Sequence, residues 1–362
     1  MKRILAMLLI LSLALPLFSC GGGLEPITEE KNTAEAKKTV ETKEEKETKT
    51  METKETVTEE PYTPPTDSES IQHPLDGKKF IFIGNSYTYY GKCVIEKKTT
   101  NFSFEERSHD KGYFYQIAKE NGADVEVVNW TYGGHTLQDT FGGNCAADRG
   151  CDGHDHSADI TDPYFDYVMI QEGGTAKGGI IENLNRIMNF FKAANPNVKF
   201  CFLVHHRFYE KELTAENRKV MENLKTMEDM GITVVDWGRL VVDVHKGKTE
   251  VPGSELTYNR YSFIISKSSS DGHHQNMLAG YITALMTWCA ITGDSAVGQE
   301  YRFTGDKTVN SAFNFAKYRS SYYTYGTVST NFDKALQSKT EVTGFQQLID
   351  KYLAEKEYRN FV

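Results

Sequence analysis

The chain has 362 residues, a formal net charge of −9, 39% hydrophobic and 12% aromatic residues, with a mean hydropathy of −0.51. That length suits one large domain with flanking segments. The acidic balance, with no basic stripe to neutralise phosphates, argues against nucleic-acid binding.

The first segment does not belong to the fold. Lys2 and Arg3 precede an apolar run, Ile4 to Phe18, that is too short and wrongly flanked for a spanning helix. The run ends in Leu17-Phe18-Ser19-Cys20 and three glycines. This resembles a bacterial lipoprotein signal, and the alternative is an ordinary secretory signal. The resemblance implies a signal peptide over residues 1–19, lipidation of Cys20 and residence in the bacterial cell envelope. Contact with the membrane is then through the lipid anchor alone.

Residues 20–75 read as a linker. Leu24 to Glu60 holds 12 Glu, 7 Lys and 9 Thr with no aromatic, a net charge of −5. Such a stretch buries too little apolar surface to offset its chain entropy. Its threonines disfavour a single charged helix, and Pro61, Pro64 and Pro65 stiffen it.

Residues 76–362 form the domain. Apolar runs at Phe80–Ile83, Val125–Trp130, Tyr167–Gln171, Val198–Val204 and Thr233–Trp237 predict five strands. Helical stretches alternate with them: Tyr113–Asn121, Ile181–Ala194, Ala215–Met230 and finally Asn276–Thr292. The alternation predicts an α/β fold, a mostly parallel sheet with helices on both faces. Residues from about 294 to 362 are an extension, read as a cover for the sheet edge or a substrate wall.

In open parallel sheets, ligands bind beyond the carboxyl ends of the strands. Those ends carry Ser86, Gly133-Gly134, Gln171-Glu172, His205-His206 and Asp236. Far along the chain stands Asp271-Gly272-His273-His274. A serine hydroxyl is a weak nucleophile and needs an adjacent base; histidine supplies one, and a carboxylate fixes its tautomer.

Four blocks carry a resemblance to the SGNH/GDSL hydrolases, in a branch opening with Gly-Asn-Ser. They are Ile83-Gly84-Asn85-Ser86-Tyr87-Thr88, Gly133-Gly134-x-x-Leu137, Asp166-x-Val168-x-x-Gln171-Glu172, and Asp271-Gly272-x-His274 with Gly280-Tyr281 beyond. The resemblance implies a three-layer α/β/α fold of flavodoxin-like type and ester hydrolysis, often of acetyl groups on carbohydrates. It implies Ser86 as nucleophile, His274 as base and Asp271 as orienting carboxylate. It implies an oxyanion hole from the N–H groups of Ser86 and Gly134 and a side-chain amide. The family uses Asn for that amide; here the block offers Gln171.

Duller readings stand beside these. Ser86 or Asp271 could cap a helix, Gly133-Gly134 could be only a turn, and His273 competes with His274. Glu172, His205 and His206 are candidate substrate contacts or structural rim residues. Cys145, Cys151, His154 and His156 invite a zinc reading, but their spacing fits no common zinc pattern. An exported context favours a Cys145–Cys151 disulfide. Cys93, Cys201 and Cys289 read as small buried residues.

The expected activity is that of a surface-tethered serine esterase acting on acylated glycans, foremost O-acetylated ones, with no metal and no cofactor. The alternative is a catalytically inactive glycan-binding lipoprotein on the same fold. A lipase would call for an exposed apolar lid, of which the hydropathy gives little sign.

Overall fold

The computed structural model describes residues 72–92, 112–143, 154–174, 176–209, 214–264, 273–301 and 338–355. Residues 1–71, with Cys20, lie outside the described residues, as do Cys93, Cys145, Cys151 and Asp271. All described residues belong to the unit Asp67–Val362.

Five strands form one sheet: β1 (Lys79–Gly84), β2 (Glu126–Thr131), β3 (Tyr167–Ile170), β4 (Lys199–Leu203) and β5 (Ile232–Val235). Their spatial order is β2-β1-β3-β4-β5 and every pairing is parallel. Phe80 stands opposite Val127 on one side and Tyr167 on the other. A parallel sheet is covered on both faces, which is why its strands read as continuous apolar runs.

The two-residue period of the strands divides those runs between two cores. Phe80, Phe82, Met169, Cys201, Leu203 and Val235 face one way. Ile81, Ile83, Val128, Trp130, Val168, Ile170, Phe202 and Val234 face the other. Burial of each such large side chain contributes about 1.5–3 kcal/mol, so a one-residue slip of any strand would reverse its contribution to both layers.

The helices are α1 (Ser86–Tyr89), α2 (Tyr113–Glu120), α3 (Leu137–Phe141), α4 (Ile180–Ala194), α5 (Ala215–Glu222), α6 (Leu224–Asp229), α7 (Trp237–His245), α8 (Met277–Thr292) and α9 (Lys339–Ala354). The first core takes α2, α7, α8 and α9; the second takes α3 to α6. The result is the expected three-layer α/β/α arrangement. Among the described residues no helix is long and apolar enough to cross a membrane.

Three local readings change. The stretch 215–230 is two helices, not one, because the chain leaves helical geometry at Asn223 (φ −100°, ψ 5°). The fifth strand ends at Val235, and α7 follows it directly. Asp236 caps that helix by accepting from the Arg239 N–H at 3.1 Å, so a residue read as part of a strand starts a helix. The extension after Gly293 is in part core: α9 buries Val342, Phe345, Leu348 and Ile349 in the same layer as α8.

Helix α8 is apolar on nearly every side because it is enclosed on nearly every side. Its start is pressed onto the segment that follows α1. A Cβ on Gly280 would lie 1.9 Å from the carbonyl oxygen of Gly91, so only glycine permits this approach. The contact ties the chain just after Ser86 to the chain just after His274.

Candidate active site

β1 ends at Gly84, and Asn85 turns the chain into α1. Asn85 Oδ1 accepts from the Tyr87 N–H at 3.0 Å, an N-cap contact. Its amide nitrogen donates to the His135 carbonyl oxygen at 2.7 Å. One side chain therefore joins the loop after β1 to the loop after β2. Ser86 is the next residue, on the rim where β1 and its neighbour β3 lead the chain to opposite sides of the sheet.

His274 comes from the other end of the domain. The bridge between Ile264 and Gln275 and the bond from the Asn276 N–H to the Phe263 carbonyl, 2.9 Å, hold the segment around it. The Gln275 amide donates to the Tyr87 carbonyl. Asn276 caps α8 by accepting from the N–H groups of Leu278 and Ala279 at 3.1 and 3.2 Å. The ring of Tyr90 stacks on His274 with centroids 4.0 Å apart. With these supports, His274 Nε2 lies 2.6 Å from Ser86 Oγ. Of the two histidines weighed as base, His274 is the one brought to the serine. His273 lines the cavity beside it.

The pair opens into a cavity of about 550 Å³. Gly133 and Gly134 form one wall, with Gly134 in left-handed backbone geometry, φ +76°. Tyr87, Tyr89, Tyr90 and Arg207 form the rest, with Gly173 and Gly174 beyond β3. The sequence reading missed Arg207 and the tyrosines. Arg207 directly follows the flagged His205-His206 pair, and Tyr87, Tyr89 and Tyr90 all lie shortly after Ser86; proximity to those positions was the available signal.

Other flagged residues stand behind this wall. Gln171 Oε1 accepts from Thr88 Oγ1 at 2.8 Å and from the Asn85 N–H at 3.4 Å, so this side chain buttresses the serine loop. Its Nε2 is buried without a hydrogen-bond partner among the described residues. Glu172 is fully buried and accepts from the N–H groups of Leu137 and Gly173 at 3.0 and 2.6 Å. It thus pins the start of α3 to the chain after β3. Burial pushes its carboxyl up to about 8, so it is a neutral acid at pH 7.

His205 is sandwiched between Tyr87 and Phe208, at centroid distances of 4.3 and 4.2 Å. Its Nδ1 accepts from the Arg207 N–H at 3.2 Å, and burial pushes it down to about 3. Burial and the neighbouring His205 also hold His206 well below the usual range. Both are neutral rings that support Tyr87. Asp236, the remaining rim carboxylate, is bound by the Tyr209 hydroxyl and does not line the cavity. Cys201 and Cys289 are buried free thiols.

No protein-family model and no curated protein matches the chain. Among solved structures it is similar to a catalytic mutant of an acetylxylan esterase from Geobacillus stearothermophilus. That match has 15% identity over 64% of this chain and 98% of the other, with a TM-score of 0.39. It is also similar to a GDSL-like lipase from Parabacteroides merdae, at 15% identity over 61% of this chain and 98% of the other, again with a TM-score of 0.39.

Proposed function

We propose that the protein is a serine esterase that removes acyl groups, foremost O-acetyl groups, from glycans. The observation that carries this reading is the 2.6 Å contact between Ser86 Oγ and His274 Nε2 at an open, polar cavity.

In the reaction, Ser86 Oγ attacks the ester carbonyl carbon and its proton passes to His274 Nε2. The carbonyl oxygen becomes an oxyanion, for which the N–H groups of Ser86 and Gly134 are the proposed donors; Gln171, read in the sequence as a third, lies behind the cavity wall. His274 then gives the proton to the leaving sugar oxygen as the ester C–O bond breaks. Water, deprotonated by His274, then attacks the acyl-serine; the Oγ–acyl bond breaks, the acid leaves, and His274 returns the proton to Ser86 Oγ. Asp271 is the proposed carboxylate that orients His274. Stacking of Tyr90 holds the ring plane while its charge changes. Arg207 and the cavity tyrosines offer a donor and ring faces to a polar, sugar-bearing substrate.

The test is hydrolysis of p-nitrophenyl acetate and of an acetylated xylan by the wild type and by Ser86→Ala. The variant should lose at least about 10³-fold in kcat with an unchanged circular dichroism spectrum. Activity within tenfold of wild type in that folded variant would refute Ser86 as the nucleophile, and a folded wild type that hydrolyses neither substrate would favour a glycan-binding protein. We further infer that Cys20 is lipidated and tethers the enzyme to the cell envelope. Mass spectrometry of membrane-extracted protein should find a diacyl or triacyl Cys20 at the amino terminus, and an unmodified Cys20 would refute the anchor.

A further inference from the structure

We propose that His154, His156 and Asp159 form a binding site for one zinc-like divalent cation beneath the turn that carries Gly133 and Gly134. His154 Nε2 lies 2.9 Å from Asp159 Oδ1, and His156 Nδ1 lies 3.5 Å from Asp159 Oδ2. One ligand atom from each residue falls within 4.8 Å of the other two. Ligands at about 2.0–2.2 Å from a tetrahedral zinc are separated by about 3.3–3.6 Å. The three side chains are therefore spaced for one ion with only small rotations.

Local structure accounts for the convergence. Asp155 caps a short 3-10 turn, accepting from the Ser157 N–H at 3.0 Å and its hydroxyl at 2.7 Å. That turn puts His156 and Asp159, three residues apart, on one side, and the chain before it brings His154 over them. His156 is buried and stacked on Tyr132, with centroids 4.3 Å apart. One ligand is thus rigidly placed, while the half-exposed His154 and the partly exposed Asp159 leave the ion an entry path.

Two imidazoles and one carboxylate are a donor set for zinc, not for calcium or magnesium, which take oxygen ligands. Water would complete the coordination. Tyr132 directly precedes Gly133, so the ion would brace the wall of the cavity from behind without meeting the substrate. The set differs from the cysteine-containing one considered in the sequence, with Asp159 as its third ligand.

The experiment is titration of EDTA-treated full-length protein with zinc chloride, read by calorimetry and by thermal unfolding. Wild type should bind one equivalent with a Kd at or below about 10 μM. At a hundredfold excess over Kd, Tm should rise on the order of 5 °C. His154→Ala and Asp159→Asn should each weaken binding at least tenfold, while Cys145→Ser/Cys151→Ser should bind as wild type does. Both test positions are solvent-accessible, so their variants should fold. The absence of saturable zinc binding, or binding unchanged in both variants, would overturn the proposal. So would a preference for calcium over zinc.

Discussion

The ring of Tyr90 lies flat on the imidazole of His274, with centroids 4.0 Å apart and planes 10° from parallel. Tyr90 is four residues from Ser86 in sequence, whereas His274 is 188 residues away. The segment that presents Ser86 therefore also holds His274. The close contact of Gly91 with Gly280 repeats this coupling one residue further on.

Tyr90→Leu should lower kcat on p-nitrophenyl acetate by roughly tenfold with KM within twofold, because a loosened ring spends less time aligned for proton transfer. Tyr90→Phe keeps the stacked face and should retain most of the activity. Equal losses in the two variants would show that the hydroxyl, not the stacking, is what matters.

Asn85→Asp should be worse than its size suggests. The carboxylate can still cap α1, but it cannot donate to the His135 carbonyl, now 2.7 Å from the Asn85 amide nitrogen. Two acceptors would face each other in a buried place, at a cost of about 1–3 kcal/mol. Thermal or urea unfolding should report that loss, together with lower kcat. Unchanged stability would mean that the loops after β1 and β2 do not depend on this bond.

Glu172 makes stability fall as pH rises. Its carboxyl is raised from 4.5 to about 8 by burial, so between those values the folded state binds a proton that the unfolded chain does not. By linkage, stability is full below about 4.5 and is lost as pH rises through about 8, at up to about 1.4 kcal/mol per pH unit. His205 acts oppositely, but only below the ordinary histidine value of 6.5. The clean window is therefore pH 6.5 to 8, where wild type should lose up to about 2 kcal/mol and Glu172→Gln should lose much less. Parallel urea-unfolding curves for the two proteins over that window would refute the assignment.

Gly280→Ala should destabilise the domain by several kcal/mol and impair catalysis together. The new methyl group meets the Gly91 carbonyl oxygen at 1.9 Å, so helix α8 or the Ser86 segment must shift, and with it the Ser86–His274 distance. Unfolding midpoints and kcat should fall in concert. A fully active variant with wild-type stability would show that the two segments move apart freely.

Much of this was legible in the residues. The continuous apolar runs determined five buried parallel strands, since only a sheet covered on both faces asks for them. Ser86 and His274 could be paired because their chemistry is complementary and each stands next to an element end. The helix Trp237–His245 was hidden because Val234-Val235-Asp236-Trp237 extends a strand pattern, and only the Asp236 cap reveals the change. Tertiary structure alone decided which polar rim residues face the cavity. His205, His206, Gln171 and Glu172 carry the side chains of a binding site, yet packing turns them inward as supports, while Arg207 and three tyrosines take the wall. Sequence spacing assigns residues to a rim, but whether a side chain points at substrate or at its neighbour depends on the loops packed around it, which contacts distant in sequence set.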